Sequence, residues 1–183
     1  MDHEAAVRLI APAVERAGGT WADLGAGTGT FSRALAAVLG STGRVIAVER
    51  DAAGVRALER LARQQDDGGA PIVVLQADFT GTLALLPLDG VLLANALHFV
   101  PDDAQPAVLG RLAAGLRAGG RLAVVECENR AASRWVPFPV GRARFAELAR
   151  DIGGSPPVAV GERRSAYGGT MYAAYTILPA RAG

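Results

Sequence analysis

The sequence predicts an α/β protein built on a doubly wound, mostly parallel sheet. Three observations predict it. Four short runs are continuously apolar at their centres: RVIAVE from Arg44, IVVL from Ile72, VLLA from Val91 and LAVV from Leu122. Strands that are buried on both faces of a parallel sheet have that composition. Helix-like or loop segments separate the runs, so the order is β-α-β-α. Finally, glycines at 25, 27 and 29 join a short apolar strand around Trp21, Ala22 and Leu24 to a helical stretch that starts at Thr30.

In chain order, Val7, Ile10 and Val14 predict an amphipathic first helix over residues 4–16, packed on the sheet edge or covering the ligand rim and ended by Gly18-Gly19. After the glycine turn, Phe31, Leu35, Val38 and Leu39 form one helical face, which Gly40 closes. Asp51 is placed to cap a helix through Val55, Leu58 and Leu61, and Gly68-Gly69 ends the connection to the next strand. Asp102 or Asp103 is expected to cap another helix, with Pro106 tolerated in a first turn whose N–H groups are free anyway. That helix presents Val108, Leu109, Leu112 and Leu116 and is expected to stop at Gly119-Gly120. Beyond Cys127 come a loop over 134–140, a short helix over 142–152 and strand-like stretches near 158–163 and 170–178. No helix separates the last two, so they predict a terminal antiparallel pair. Nothing divides the chain, and one domain over 1–183 is expected.

Composition narrows the function. With 183 residues, half of them hydrophobic, the chain can bury a core without disulfides or metal. A net charge of +1 disfavours nucleic acid as the main partner. The single cysteine, Cys127, forbids an internal disulfide and suits a reducing compartment. No basic and apolar leader opens the sequence, and no apolar run reaches the ~20 residues of a membrane span, so a soluble, cytoplasmic protein without a membrane partner is expected. All 19 basic residues are arginine, which excludes a phosphate-loop lysine, a Schiff base and a Tyr-x-x-x-Lys reductase site.

The glycine turn is the first candidate site. Glycines let the backbone come close to a ligand, and the helix start behind them offers free N–H groups to an anion. A dinucleotide turn reads G-x-G-x-x-G, whereas here the pattern is G-x-G-x-G, with Thr30 at the position of the third dinucleotide glycine. In open parallel sheets, ligands bind beyond the carboxyl ends of the strands. The residues there are Asp23 before the glycines, where it can meet a cationic amine, and Glu49 with Arg50 after the second strand. Asp78-Phe79 follows the third strand, Asn95 and His98 the fourth, and Glu126, Glu128 and Asn129 the fifth. Glu49, 24 residues past Gly25, is suited to two ribose hydroxyls and repels a 2′-phosphate.

The pattern DLGAGTG resembles motif I of the class I S-adenosylmethionine-dependent methyltransferases. The resemblance extends over residues 20–126 through Glu49, the Asp78-Phe79 pair, DGVLLANALHFV and GGRLAVVE. It implies a Rossmann-like sheet of seven strands with the last antiparallel, S-adenosyl-L-methionine as cofactor, and methyl transfer to a small molecule. It also implies cofactor contacts at Asp23, Gly25, Gly27, Glu49, Asp78, Phe79 and Asn95. Ala26, Gly29 and Arg50, in and beside the same turns, are counted with them. The chain lacks the large inserted lid of many members. Two accounts of that stay open: a cofactor-binding module without catalysis, or a homo-oligomer that completes the site. A nicotinamide-dependent oxidoreductase would keep the fold and Glu49, but the glycine spacing opposes it.

His98, three residues past Asn95, is the candidate general base, since imidazole titrates near neutrality; its alternative role is packing on Phe99. The acceptor side is expected over 129–172. Seven arginines against three carboxylates between Arg130 and Arg164 suggest an anionic acceptor held by Arg134 or Arg142, although solvated arginines explain the count equally well. Trp135, Phe138, Tyr167, Met171 and Tyr172 either line an aromatic pocket or belong to the core. Glu126, Glu128 and Asn129 have oxygens enough for magnesium but match no metal motif, so no metal is expected.

Overall fold

A computed structural model of the protein describes residues 1–14, 17–64, 68–85, 87–128, 130–164 and 169–179. Its elements run α1 (His3–Val14), β1 (Gly19–Leu24), α2 (Thr30–Leu39), β2 (Gly43–Glu49), α3 (Ala52–Arg63), β3 (Ile72–Gln76) and β4 (Leu88–Ala94). A 3₁₀ turn at Leu97–Phe99 leads to α4 (Gln105–Ala114), β5 (Leu116–Glu128), α5 (Arg142–Asp151), β6 (Val158–Arg164) and β7 (Thr170–Ile177). The strands form one seven-stranded sheet in the order β3-β2-β1-β4-β5-β7-β6. β1 to β5 pair in parallel, and β7 lies between β5 and β6, antiparallel to both.

Consecutive apolar residues of the central strands serve opposite faces, which is why their runs are unbroken. Val91, Leu93, Leu122 and Val124 pack with α4 and α5, whereas Leu92, Ala123 and Val125 pack with α1, α2 and Leu58 of α3. Trp21 of β1 lies over Gly90 of β4, its register partner; a Cβ at Gly90 would fall 2.5 Å from the indole. Asp51 caps α3 by accepting from the Ala53 and Gly54 amides. The N-terminal helix lies against α2 and the β6 edge of the sheet.

Four expectations change. The run IVVL is the edge strand β3, not a strand buried on both faces, and Val73 is 49 % exposed. Neither Asp102 nor Asp103 caps α4, whose N-cap is Ala104; Asp102 instead accepts from the Gln105 side-chain amide at 3.3 Å. The helix ends at Gly115, and Leu116 opens β5 opposite Leu88, so β5 begins six residues before the apolar run. The glycines expected to stop that helix lie inside the strand, where Gly119 donates to the Leu178 carbonyl and Gly120 accepts from the Leu178 amide.

Asp23 sits one residue from the end of β1 and is 1 % exposed. The Ser32 hydroxyl, in the first turn of α2, donates to it at 2.6 Å, so this bond clamps the two ends of the glycine turn together. Burial pushes the Asp23 carboxyl up to about 6; the Ser32 bond opposes that shift and the Glu49 charge adds to it. Because the folded value lies above the unfolded one, the native state binds the proton more tightly, and stability is lost as pH rises through about 6. A shift of that size corresponds to roughly 3 kcal/mol across the window from about pH 4 to 7. Asp23→Asn keeps the acceptor oxygen and carries no charge. Urea melts at pH 4.5 and 7.5 should show the parent losing about 2 kcal/mol of stability relative to Asp23→Asn between the two, since the first part of the loss already falls below pH 4.5. Equal pH profiles would mean that Asp23 is not desolvated as described.

Candidate active site

The order in which strands are laid down reverses between β1 and β4, which remain parallel, and a cleft of about 590 Å³ opens there beyond the strand ends. Gly25, Ala26 and Gly27 form one wall, Glu49 and Arg50 the next, Asp78 and Phe79 a third, and Asn95, Ala96 and Phe99 a fourth. Met1 and Met171 reach it from the other side. Gly27 has φ 56°, and a Cβ placed on it would touch nothing within 4 Å, so its backbone can meet a ligand directly. The Glu49 carboxylate accepts from the Gly27 amide through Oε2 and from the Asp51 amide through Oε1, both at 2.8 Å. It therefore joins the glycine turn to the start of α3, and each oxygen keeps a further lone pair. Asp78 accepts from the amide and hydroxyl of Thr80 and from Arg50, and these bonds, the Thr80 hydroxyl first, hold its carboxyl below the usual range.

Two residues expected in this cleft lie elsewhere. The Asp23 carboxylate does not line it, because its acceptor is turned into the corner toward Ser32; that overturns its expected reach to a cationic amine. Gly29 is the N-cap of α2 with φ 91°, and a Cβ there would fall 2.6 Å from Leu61. Its glycine is demanded by packing on α3, not by the cleft.

A second cavity of about 440 Å³ adjoins the first and shares Asn95, Phe99 and Met171 with it. His98, Cys127, Arg130, Trp135 and Val136 complete it. His98 is 3 % exposed and Glu126 1 %. Nδ1 of His98 lies 2.6 Å from Glu126 Oε2, while Oε1 accepts from the Leu97 and His98 amides at 3.0 and 3.3 Å. With Nδ1 committed to the carboxylate, Nε2 is the ring nitrogen available to a ligand. Asn95 takes φ 53° between the two cavities, a left-handed conformation that asparagine tolerates better than most residues. Burial pushes the Cys127 thiol up, so it meets the cavity as a neutral wall.

The acceptor-side expectations divide. Trp135 lines the second cavity and the Arg134 guanidinium stands over its ring at 4.5 Å. Arg142 does not face either cavity: it pairs with Glu128 at 3.2 Å and Glu162 at 2.7 Å. Tyr172 is core, fully buried and donating its hydroxyl to the Val140 carbonyl; burial, then Glu126 and Glu128, push its phenol far up. Phe138 lines neither cavity and contributes its amide to the His98 carbonyl at 3.0 Å. Tyr167 and Asn129 lie outside the described residues. The pairing of Glu126 with His98 was not foreseen; the available signal was a carboxylate closing an otherwise apolar strand.

No curated protein matches the sequence. Solved structures do match in fold. A magnesium protoporphyrin IX methyltransferase from Synechocystis with bound S-adenosylmethionine is 17 % identical, with a TM-score of 0.70 over 96 % of this chain and 79 % of that one. A methyltransferase dependent on the same cofactor, from Aquifex aeolicus, is 16 % identical with a TM-score of 0.70 over 97 % and 99 % of the two chains. An arsenic(III) methyltransferase from Chlamydomonas reinhardtii is 18 % identical with a TM-score of 0.71 over 97 % and 74 %. The family model of the methyltransferase domain matches residues 22–120, more than half of the chain and the whole stretch from the glycine turn to the bend before the apolar half of β5. The chain therefore belongs to the methyltransferase-domain family.

Proposed function

We propose that this enzyme transfers the methyl group of S-adenosylmethionine to a small-molecule acceptor by in-line displacement, with His98 as general base. One observation carries the reading: a buried imidazole, fixed at Nδ1 by a buried carboxylate, lines a cavity that adjoins the glycine-turn cleft and shares three lining residues with it.

The cleft residues fit the cofactor. Gly27 leaves room where any side chain would project. Glu49, already oriented by two amides, has lone pairs left for the ribose hydroxyls. Phe79 and Asp78 offer an apolar face and an acceptor for a purine, beside Arg50. Asp23 acts beneath the site, holding the turn through Ser32. When bound, the cofactor supplies an electrophilic methyl carbon on a sulfonium.

The chain's part is alignment and proton removal. Holding nucleophile and carbon about 3–3.5 Å apart in line contributes ~7–11 kcal/mol. The acceptor gives its proton to His98 Nε2. Its heteroatom forms the new bond to the methyl carbon as the carbon–sulfur bond breaks, leaving the electron pair on sulfur. Glu126 keeps the imidazole in the tautomer that can accept at Nε2 and stabilises the imidazolium that results.

Calorimetry with S-adenosylhomocysteine should give micromolar binding and none with NAD; tighter binding of NAD would sink the assignment. Glu49→Ala should weaken cofactor binding roughly ten- to a hundred-fold, about 1.5–3 kcal/mol, by loss of charge-assisted bonds. Gly27→Val should weaken it further, because its backbone is left-handed and the added atoms enter the cleft.

His98→Gln should lower kcat about 10²-fold or more while cofactor affinity changes little. Glu126→Leu should do much the same by releasing Nδ1, and Glu126→Gln, which can still accept from it, should recover part of the rate. Unchanged turnover in His98→Gln across pH 6 to 9 would reduce His98 to packing.

A further inference from the structure

We infer that the acceptor is a planar hydroxyaryl acid, its ring engaged by Trp135 and Phe99, its hydroxyl delivered to His98 and its carboxylate outside, at Arg134. The inference rests on the methyl transfer proposed above and names the acceptor class.

The distribution of exposed apolar side chains carries it. Among the described residues five large hydrophobics are exposed: Met1, Val73, Phe99, Trp135 and Val158. Val73 and Val158 belong to β3 and β6, the two edge strands, where one side of the strand has no neighbour. The other three all line the joined cavities. Trp135, 66 % exposed, and Phe99, 51 % exposed, belong to the acceptor cavity, so its two aromatic walls are also the two most exposed large hydrophobics among the described residues. An aromatic side chain can bury on the order of 150–250 Å², and its face pairs best with another ring in an offset or edge arrangement. A flat, unsaturated ligand uses that surface fully, whereas an aliphatic chain of similar size does not.

Polarity orders the ligand within the cavity. The His98 ring packs on Phe99 with centroids 4.4 Å apart, so a ring that contacts Phe99 carries its substituents past the imidazole. Around it the walls are Val136, Met171 and the neutral Cys127 thiol, with Asn95 and the Arg130 guanidinium, which engages Cys127, completing the lining. A carboxylate beside the imidazole would be desolvated against Val136 and Met171 and would face the buried Glu126 charge, which is costly, and the one guanidinium in the lining, Arg130, is already engaged with Cys127. Outside, the Arg134 guanidinium is held over Trp135 and makes no ion pair with a carboxylate among the described residues. An anionic group therefore belongs at the mouth and a hydroxyl at the floor. The hydroxyl suits the base, since a phenol loses its proton far more readily than an alcohol and shares its charge with the ring.

Calorimetry on the protein loaded with S-adenosylhomocysteine tests this, using 4-hydroxyphenylacetate and 6-hydroxy-2-naphthoate as hydroxyaryl acids, 4-ethylphenol without the carboxylate, and 3-hydroxybutyrate without the ring. The acids should bind at least ten-fold tighter than 3-hydroxybutyrate. Trp135→Ala should weaken both acids ten-fold or more, and Arg134→Gln should weaken them several-fold while leaving 4-ethylphenol unchanged. In turnover the Trp135→Ala loss should fall on KM, unlike the kcat loss of His98→Gln. If S-adenosylhomocysteine binds but the acids bind no better than 3-hydroxybutyrate, or Trp135→Ala binds them as the parent does, the acceptor class is overturned and methyl transfer stands. If S-adenosylhomocysteine itself fails to bind, the underlying reading falls first.

Discussion

A carboxylate cannot be left bare inside an apolar sheet, and that constraint at Glu126 shapes much of the molecule. β5 carries it between Val125 and Cys127, at 1 % exposure, in a position where water cannot solvate it. Its partners have to come from the neighbouring strand, and β4 supplies them by leaving the sheet at once. The chain passes through the left-handed Asn95, folds into the 3₁₀ turn and aims the Leu97 and His98 amides at one oxygen. The imidazole meets the other. The His98 carbonyl then receives the Phe138 amide, so the loop that carries Trp135 is tied to the same charge. One buried acid thereby sets the exit of β4, the orientation of the imidazole and the attachment of the acceptor-side loop.

The same economy recurs at the other strand ends. Asp23 closes β1 and is spent on Ser32; Glu49 closes β2 and is spent on the Gly27 and Asp51 amides. In each case a carboxylate draws the next turn back over the end of its own strand, which keeps the glycine loop in shape without a ligand. The degree of burial differs, and with it the consequence. Asp23 is fully buried and destabilises the fold when charged, whereas Glu49 lines the open cleft. A site that concentrates carboxylates in this way trades stability for a preformed rim, a common compromise at functional positions.

What could be read from the sequence was what local chemistry determines. Unbroken apolar runs gave the strands, Asp51 its cap, and Gly25 and Gly27 the cleft, because those features depend on residues a few positions apart. Gly29 kept its place in the turn, but the reason for it, Leu61 of α3, is 32 positions away. The helix face drawn through Leu116 failed because Leu116 satisfies helical spacing equally well and is claimed by Leu88 across the sheet. The alternatives left open for Arg142 and Tyr172 could not be decided from the sequence for a related reason. Their partners, Glu128, Glu162 and the Val140 carbonyl, are brought to them by the β5–β7–β6 pairing, which no spacing in the sequence announces.

Following the arginines individually changes what the charge of this region means. The excess of seven arginines over three carboxylates looked like an anion site, yet Arg142 is consumed by Glu128 and Glu162. Arg144 is likewise spent, on Gln105, Glu147 and the Asp102 carbonyl, where it fastens α5 to the start of α4. These cations hold α5 to the sheet, through Arg142, and to α4, through Arg144. What remains inside is Asn95, Arg130 and otherwise apolar wall around one imidazole, and so sparse a set of cations is the better arrangement for displacement at a sulfonium. Charge is dispersed as a neutral acceptor approaches the transition state, or annihilated when the acceptor is an anion, so a cavity crowded with arginines would stabilise the ground state of an anionic nucleophile and slow it. On the reading proposed above, a cavity with few cations and a fixed charge behind His98, at Glu126, would assist proton removal without holding the nucleophile back.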